Sequence, residues 1–297
     1  MSGSAEPVDG TRVRSALLAL TAISPYFEAD IPPPGSPADA GAGGDGGDGG
    51  GVPVPVEELY RGGAALAAAI DGVNARLGGV ERRVAASTLA LGHAARLWSV
   101  ALGCWATTGI VPDLDPSVLR VQPRLTAPLR LIVDRPTGRR PAPPVAGTNP
   151  ATTTTAVDSA ADLLREVVVE RNLRPYFAAV QRQTRLPAGL LWGNAASALV
   201  GATRVLIAHL ASTDPVGSPA QETTSEAVPA GAAVGRVTAL LLATPPLAHT
   251  TVHALTADGQ VVPSTVVRRS CCLFYRVPGG GTCGDCPLHG PQERTPR

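Results

Sequence analysis

Val84-Ala-Ala-Ser-Thr-Leu-Ala-Leu-Gly-His-Ala-Ala-Arg-Leu-Trp-Ser-Val-Ala-Leu-Gly-Cys104 is the stretch on which the fold turns. Leu91, Leu97, Trp98, Ala101 and Cys104 recur within it at three- and four-residue spacings, the period of a helix with a buried face. Upstream, Val56–Leu77 repeats Leu59, Leu66, Ile70, Val73 and Leu77 with the same period. Downstream, about Val157–Thr184, Pro187–Leu210 and Ala232–Ala243 read as further helices. Pro187 suits a first helical turn, and Pro245-Pro246 is a stop. Leu125–Val133 and Gln260–Arg268 are short, with alternating or β-branched residues, and read as strands or extended connectors. The expected fold is mainly α, a helical bundle with a small β element.

Composition supports this and excludes other classes. The 297 residues are 44% hydrophobic, 16% charged and only 3% aromatic, so the core must be built from Ala, Leu and Val. All 25 basic residues are Arg, set against 24 acidic ones, a net charge of +1 that gives no footing for a nucleic-acid partner. Gly and Pro, 33 and 29 residues, concentrate in stretches without hydrophobic period near 31–55, 135–155 and 212–231, which read as linkers or surface loops. Ala16–Ile23 is apolar, but Glu6 and Asp9 precede it and no small-residue cleavage pattern follows, so a first core helix is the better reading than a signal peptide. The uncharged run Trp98–Val111 falls short of the roughly 20 residues a bilayer crossing needs. No transmembrane segment and a cytoplasmic location are expected.

The chemistry is concentrated at the C-terminal end. Four of the five cysteines fall there as Cys271-Cys272, ten residues, Cys283, two residues, Cys286. In a reducing compartment such spacing favours metal over disulfides. Gly279-Gly280-Gly281 and Gly284 supply positive-φ positions and backbone amides for a loop wrapping an anionic core. Structural zinc sites usually pair two spaced knuckles, which an adjacent Cys-Cys suits less well, while iron-sulfur clusters take four thiolates at more varied spacing. On residue chemistry alone both metals stay open.

The run Arg268-Arg-Ser-Cys-Cys-Leu-Phe-Tyr-Arg-Val-Pro-Gly-Gly-Gly-Thr-Cys-Gly-Asp-Cys-Pro-Leu288 resembles the C-terminal signature of the FhuF-like ferric-siderophore reductases. Ala95-Arg-Leu-Trp-Ser-Val100 and Leu190-Leu-Trp-Gly-Asn-Ala-Ala-Ser-Ala198 look like that family's two helical signatures. The glycine-rich insertion after Asp30 departs from it. The resemblance implies a [2Fe-2S] cluster on Cys271, Cys272, Cys283 and Cys286, carried by a segment 261–297 that follows a helical region 1–260. It implies one-electron reduction of siderophore-bound iron(III), releasing iron(II), with no catalytic residue beyond the cluster. The ferric siderophore is then the substrate and the compartment cytoplasmic, with room for transient association with a membrane transporter. Arg268, Arg269 and Arg276 flank the motif and read either as groups that attract an anionic chelate and offset the charge gained on reduction, or as an ordinary solvated basic turn.

Other features read more plainly. Gly279-x-Gly281-x-x-Gly284 and Gly41-x-Gly43-x-x-Gly46 match the letters of a dinucleotide fingerprint without its strand-to-helix context. Electrons must then come from a separate donor, a ferredoxin or a flavin or NAD(P)H reductase. Cys104 reads as a buried small hydrophobe. His93 and Arg96, one turn apart, read as solvent-facing or capping residues rather than as the lining of a chelate pocket. Trp192 and Asn194 read as structural, although the resemblance suggests a place near the cluster or substrate, and His249 and His253 read as loop residues. His289 is a spare imidazole beside a complete set of cysteines. Asp285 reads as a turn residue. The competing reading of the whole is a zinc-stabilised binding or assembly module without redox turnover.

Overall fold

A computed structural model describes residues 5–33, 51–124, 128–141, 156–213 and 230–288. The expected low-complexity insertions fall largely outside the described residues, as do Gly41–Gly46 and His289. Strand β1 (Glu6–Val8) leads into α1 (Gly10–Ala19), whose N-cap Asp9 accepts from the Thr11 N–H. Val13, Leu17 and Leu20 are fully buried, so the apolar octet lies in the core as a helix and its short 3₁₀ extension.

After β2 (Val54–Pro55), the predicted Val56–Leu77 helix is two helices, α2 (Val56–Arg61) and α3 (Gly63–Arg76). They break at Gly62, whose φ of +85° no helix contains. The central helix α4 (Arg82–Thr108) is longer than its period suggested. It is followed by β3 (Val111–Pro112), β4 (Leu119–Gln122), β5 (Arg130–Val133) and β6 (Gly138–Arg140). These build two small sheets, ordered β1-β6-β3 and β2-β4-β5, in which neighbouring strands run antiparallel. Residues 125–127 of the first predicted strand lie outside the described residues; the ladder occupies its C-terminal half.

The long helix predicted over 157–184 is continuous but not uniform. α5 (Ala156–Leu164) passes into a π-helical stretch Arg165–Leu173 and then α6 (Arg174–Thr184). The wider π turn leaves the Val167 carbonyl to accept from the Asn172 side chain, whose Nδ2 also reaches Leu114 O. Asn172 Oδ1 accepts from Tyr60 Oη at 2.8 Å, and His93 Nε2 is 2.9 Å from the same hydroxyl. His93, Tyr176, Phe177 and Trp192 continue this polar knot as a chain of ring contacts.

The second long helix, α7 (Ala188–Thr213), packs along α4, and α8 (Ala230–Ala243) packs against α7. By length and composition α7 could cross a membrane, unlike the shorter uncharged run Trp98–Val111. In this fold it is a core helix. Leu191, Ala195, Leu199 and Leu206 are buried, and the Thr203 hydroxyl meets Thr238 of α8 at 2.7 Å. The second predicted strand is mostly a connector, ending in a two-residue ladder of β7 (Thr251–Val252) with β8 (Val267–Arg268). Val261, Val266, Leu273 and Val277 join the same hydrophobic core as the helices, so the cysteine segment is fastened to the bundle by buried apolar surface.

Two weaker sequence features resolve here. Pro-Tyr-Phe occurs twice in the chain, at 25–27 and 175–177, but Tyr26 is 54% exposed in a turn whereas Tyr176 is fully buried in α6, so the two occupy unlike places and mark no structural repeat. His93 and Arg96 are both buried, so neither faces solvent. Arg96 instead binds the carbonyls of Pro25 and Glu28, pinning the loop after α1 onto α4.

Candidate iron-sulfur site

The cysteine segment leaves β8 and turns back along α4 and α7. Leu273 takes a left-handed φ of +69°, and a 3₁₀ turn over Phe274–Arg276 follows. Gly279 and Gly281 have φ of +73° and +66°, and a Cβ on Gly280 would lie 2.8 Å from Phe274 O. The glycine triplet therefore folds a hairpin too tight for side chains and returns the chain to Cys283. A turn closed by Cys286 N–H donating to Cys283 O brings in the last cysteine.

Cys272 and Cys286 are buried, while Cys271 and Cys283 are half-buried. Cys272 Sγ and Cys283 Sγ are 3.8 Å apart, the edge of a tetrahedron with metal–sulfur bonds of about 2.3 Å. Cys271 Sγ accepts the Leu273 N–H at 3.3 Å. Burial raises the Cys271 pKa, partly offset by that amide, and the nearby Cys272 and Cys286 raise it further. Cys272 is pulled down to about 5, chiefly by the hydrogen bond with Cys283 and, against burial, by the Arg268 charge. Cys283 is correspondingly pushed up, since it holds the shared proton. A pair of thiols, one buried and one half-buried, beside a fixed cation is poised to hold negative charge, which is what a thiolate-ligated metal requires.

Arg268 is the least expected residue of the site. Flanking the motif, it is expected both to attract an anionic chelate and to offset the charge gained on reduction; at only 1% exposed it cannot reach a ligand in solution, and only the second role is left to it. Its Nη2 donates to Cys283 Sγ at 2.7 Å and its Nη1 to Asn194 Oδ1 at 2.7 Å. Nε lies 3.3 Å from Asp285 Oδ2, an ion pair whose geometry falls short of a hydrogen bond. Burial works against its charge, but Asp285, Cys283 and Cys272 outweigh that and raise its pKa. Asn194 Nδ2 in turn donates to Ser87 O and Oγ, and Ser87 Oγ donates to Cys272 O at 2.7 Å. Ser87 on α4, Asn194 on α7 and Arg268 on β8 thus form one buried bracket with both ends on the cysteine loop.

α7 makes a second contact with the segment. A Cβ on Gly193 would lie 2.4 Å from Ser270 Oγ, so only glycine permits this approach, and Ser270 Oγ donates to Gly189 O. The remaining flanking arginines are exposed. Arg276 pairs with Glu81 at the start of α4 at 2.8 Å, and Arg269 projects from the surface with its N–H bonded to Thr250 O. Arg204, also exposed, donates to Pro263 O at 3.2 Å and has a guanidinium nitrogen 4.0 Å from where a Cβ on Gly284 would stand. Sequence reading passed over Ser87 and Arg204. A serine on the apolar face of α4 was the available signal for the first; nothing local marks the second.

Elsewhere, Cys104 is buried with its pKa raised to about 12 by burial, an inert thiol as expected. His249 and His253 lie in a loop, and His253 Nδ1 pairs with Thr251. All five cysteines are free.

Among the described residues, no group of three or more His, Cys, Asp or Glu side chains closes round a single ion position. Four thiolates sharing two irons need two pairs rather than one convergence point, and the Cys272–Cys283 pair has the spacing of one of them. The donor set, all sulfur with an amide and a guanidinium directed at it, fits such a cluster. No curated protein matches the chain. Residues 268–288, which contain all four cysteines, match the family model described as the FhuF 2Fe-2S C-terminal domain; the two helical signatures lie outside the matched residues. The chain thus carries, at its C-terminal end, a 2Fe-2S domain of the FhuF-like family, and its cofactor is a [2Fe-2S] cluster.

Proposed function

We propose that the protein reduces siderophore-bound iron(III) by one electron, so that iron(II) leaves the chelate. The observation that carries this reading is the match of residues 268–288 to the FhuF 2Fe-2S C-terminal domain, on a loop whose cysteines are partly exposed. When bound, the cluster supplies a single electron at a potential set by its charge and hydrogen bonding. Siderophores hold iron(III) through hard oxygen donors that iron(II) binds far more weakly, so reduction is a release step. Each tenfold preference of the chelate for iron(III) lowers its potential by about 59 mV, which demands a low-potential donor or downstream capture of iron(II).

In this reading Cys271, Cys272, Cys283 and Cys286 are the ligands. Cys271 and Cys283 face the side from which a chelate approaches, since Cys272 and Cys286 are covered. Exposed Arg269 and Arg276, with Arg204 beside Gly284, give that side a positive character suited to an anionic chelate. Ser87, Asn194 and Arg268 hold the loop from behind and keep water from its inner sulfurs. The electron re-entering the protein comes from a separate ferredoxin or flavin-dependent reductase. We place the reaction in the cytoplasm, where free thiols persist.

A single-turnover experiment tests this. Anaerobic protein, chemically reduced and freed of reductant, is mixed with a ferric trihydroxamate and a chromogenic iron(II) chelator. One iron(II) per chain should appear at the rate at which the cluster reoxidises. No iron(II) above the protein-free control, from protein that is reoxidised normally by a soluble dye, would overturn the assignment.

A further inference from the structure

The bracket behind the cysteine loop has a consequence for the electron itself. We propose that Arg268 is the fixed counter-charge of the cluster loop, and that with Asp285 it sets the potential at which a cluster held by the four thiolates accepts an electron. The inference deepens the reading above and rests on those cysteines being the ligands.

The effect is electrostatic. The Arg268 side chain is fully buried, so solvent and salt screen its charge weakly. It is held by contacts on three sides: Cys283 Sγ at 2.7 Å, Asn194 Oδ1 at 2.7 Å and Asp285 Oδ2 at 3.3 Å. The main chain repeats the link, since Arg268 N–H donates to Asp285 O. A charge fixed in this way cannot swing out to a substrate, but it acts on the sulfurs at constant distance. Reduction adds one electron, hence one negative charge, with no bond made or broken in the ligand shell. A cation against Cys283 stabilises the reduced state and raises the potential. A carboxylate buried beside the same loop does the opposite. Arg268 and Asp285 are therefore opposed controls, and Asn194 is the strut that keeps the first in place.

The test is a redox titration of the holoprotein, followed by visible absorption and electron paramagnetic resonance, with dithionite as the electron source. Arg268→Gln should lower the equilibrium constant for reduction at least tenfold, a fall of about 59 mV for one electron. Asp285→Asn should move the potential the other way. Arg268→Lys, which keeps the charge, should lie nearer the wild type than Arg268→Gln. If Arg268→Gln does not retain its cluster, Asp285→Asn decides alone, and an unchanged or lowered potential overturns the proposal. Shifts in the same direction for Arg268→Gln and Asp285→Asn, or neither moving by twofold, would also overturn it, leaving Arg268 a purely structural residue. Opposed shifts in a protein that fails to reduce ferric chelates would sink the proposed reaction and leave this inference standing. Unmoved potentials in one that does reduce them would do the reverse.

Discussion

Cys283 stands where the chemistry and the scaffold meet, within hydrogen-bond reach of Arg268 and beside Cys272. Replacing it with Ser substitutes a harder, more basic ligand and leaves the Arg268 guanidinium without its sulfur. Cys283→Ser is expected to lose iron and acid-labile sulfide, or to shift the visible spectrum strongly; a spectrum identical to wild type removes Cys283 from the ligand set. The four cysteines were legible because their chemistry is local, two adjacent and two separated by a tight turn. Arg268 was legible as a charge near the motif but not as a buried one. Its partners, Asn194 and, one step further, Ser87, are 74 and about 180 positions away in the chain, and no periodicity reports contacts at that range. Asn194 shows the same limit. On α7 it reads as an asparagine satisfying nearby backbone, yet its bonds run to Ser87 and Arg268 on other elements. Asn194→Leu strands Arg268 Nη1 and the Ser87 carbonyl, and should cost about 3 kcal/mol of unfolding free energy in denaturant titration.

At the level of elements, the helices were readable from apolar period and proline punctuation, and the failures have specific causes. The break at Gly62 carries no periodic signal, since the apolar spacing continues across it. The π-helical stretch keeps its apolar residues inward, and what marks it is Asn172 taking the displaced Val167 carbonyl. The contact between α7 and the cysteine segment yields a sign-changing prediction. Gly193→Ala alone forces its new methyl into Ser270 Oγ and should destabilise by about 1–3 kcal/mol. In a Ser270→Ala background the nearest remaining side-chain atom is the residue-270 Cβ, 3.8 Å away, an ordinary contact. There the same substitution should stabilise by up to about 1 kcal/mol, the helix preference of Ala over Gly. A double-mutant cycle read by chemical denaturation checks this; equal effects in both backgrounds would mean that α7 and the segment do not touch at Gly193.

Across the whole molecule, one hydrophobic core joins the bundle to the cysteine segment, so the stability of the helices and the integrity of the site are linked. His93 offers a probe of that core. Burial lowers its pKa from 6.5 to about 3, so the native state holds it neutral while the unfolded chain binds a proton below pH 6.5. Stability from this source is complete above pH 6.5 and is lost as the pH falls toward 3, by about 2 kcal/mol between pH 6.5 and 5. His93→Gln should lose that part of the acid slope, measured as unfolding free energy against pH beside wild type; parallel slopes would show that His93 titrates normally in the fold.

Reduction and its tuning alike require that the four sulfurs at the C-terminal end hold two irons and two sulfides. Protein purified without oxygen, assayed for iron, zinc and acid-labile sulfide per chain, tests that most directly. Two irons and two sulfides per chain are predicted, with a paramagnetic signal appearing on one-electron reduction. Colourless protein with stoichiometric zinc, or with iron but no labile sulfide, would contradict it.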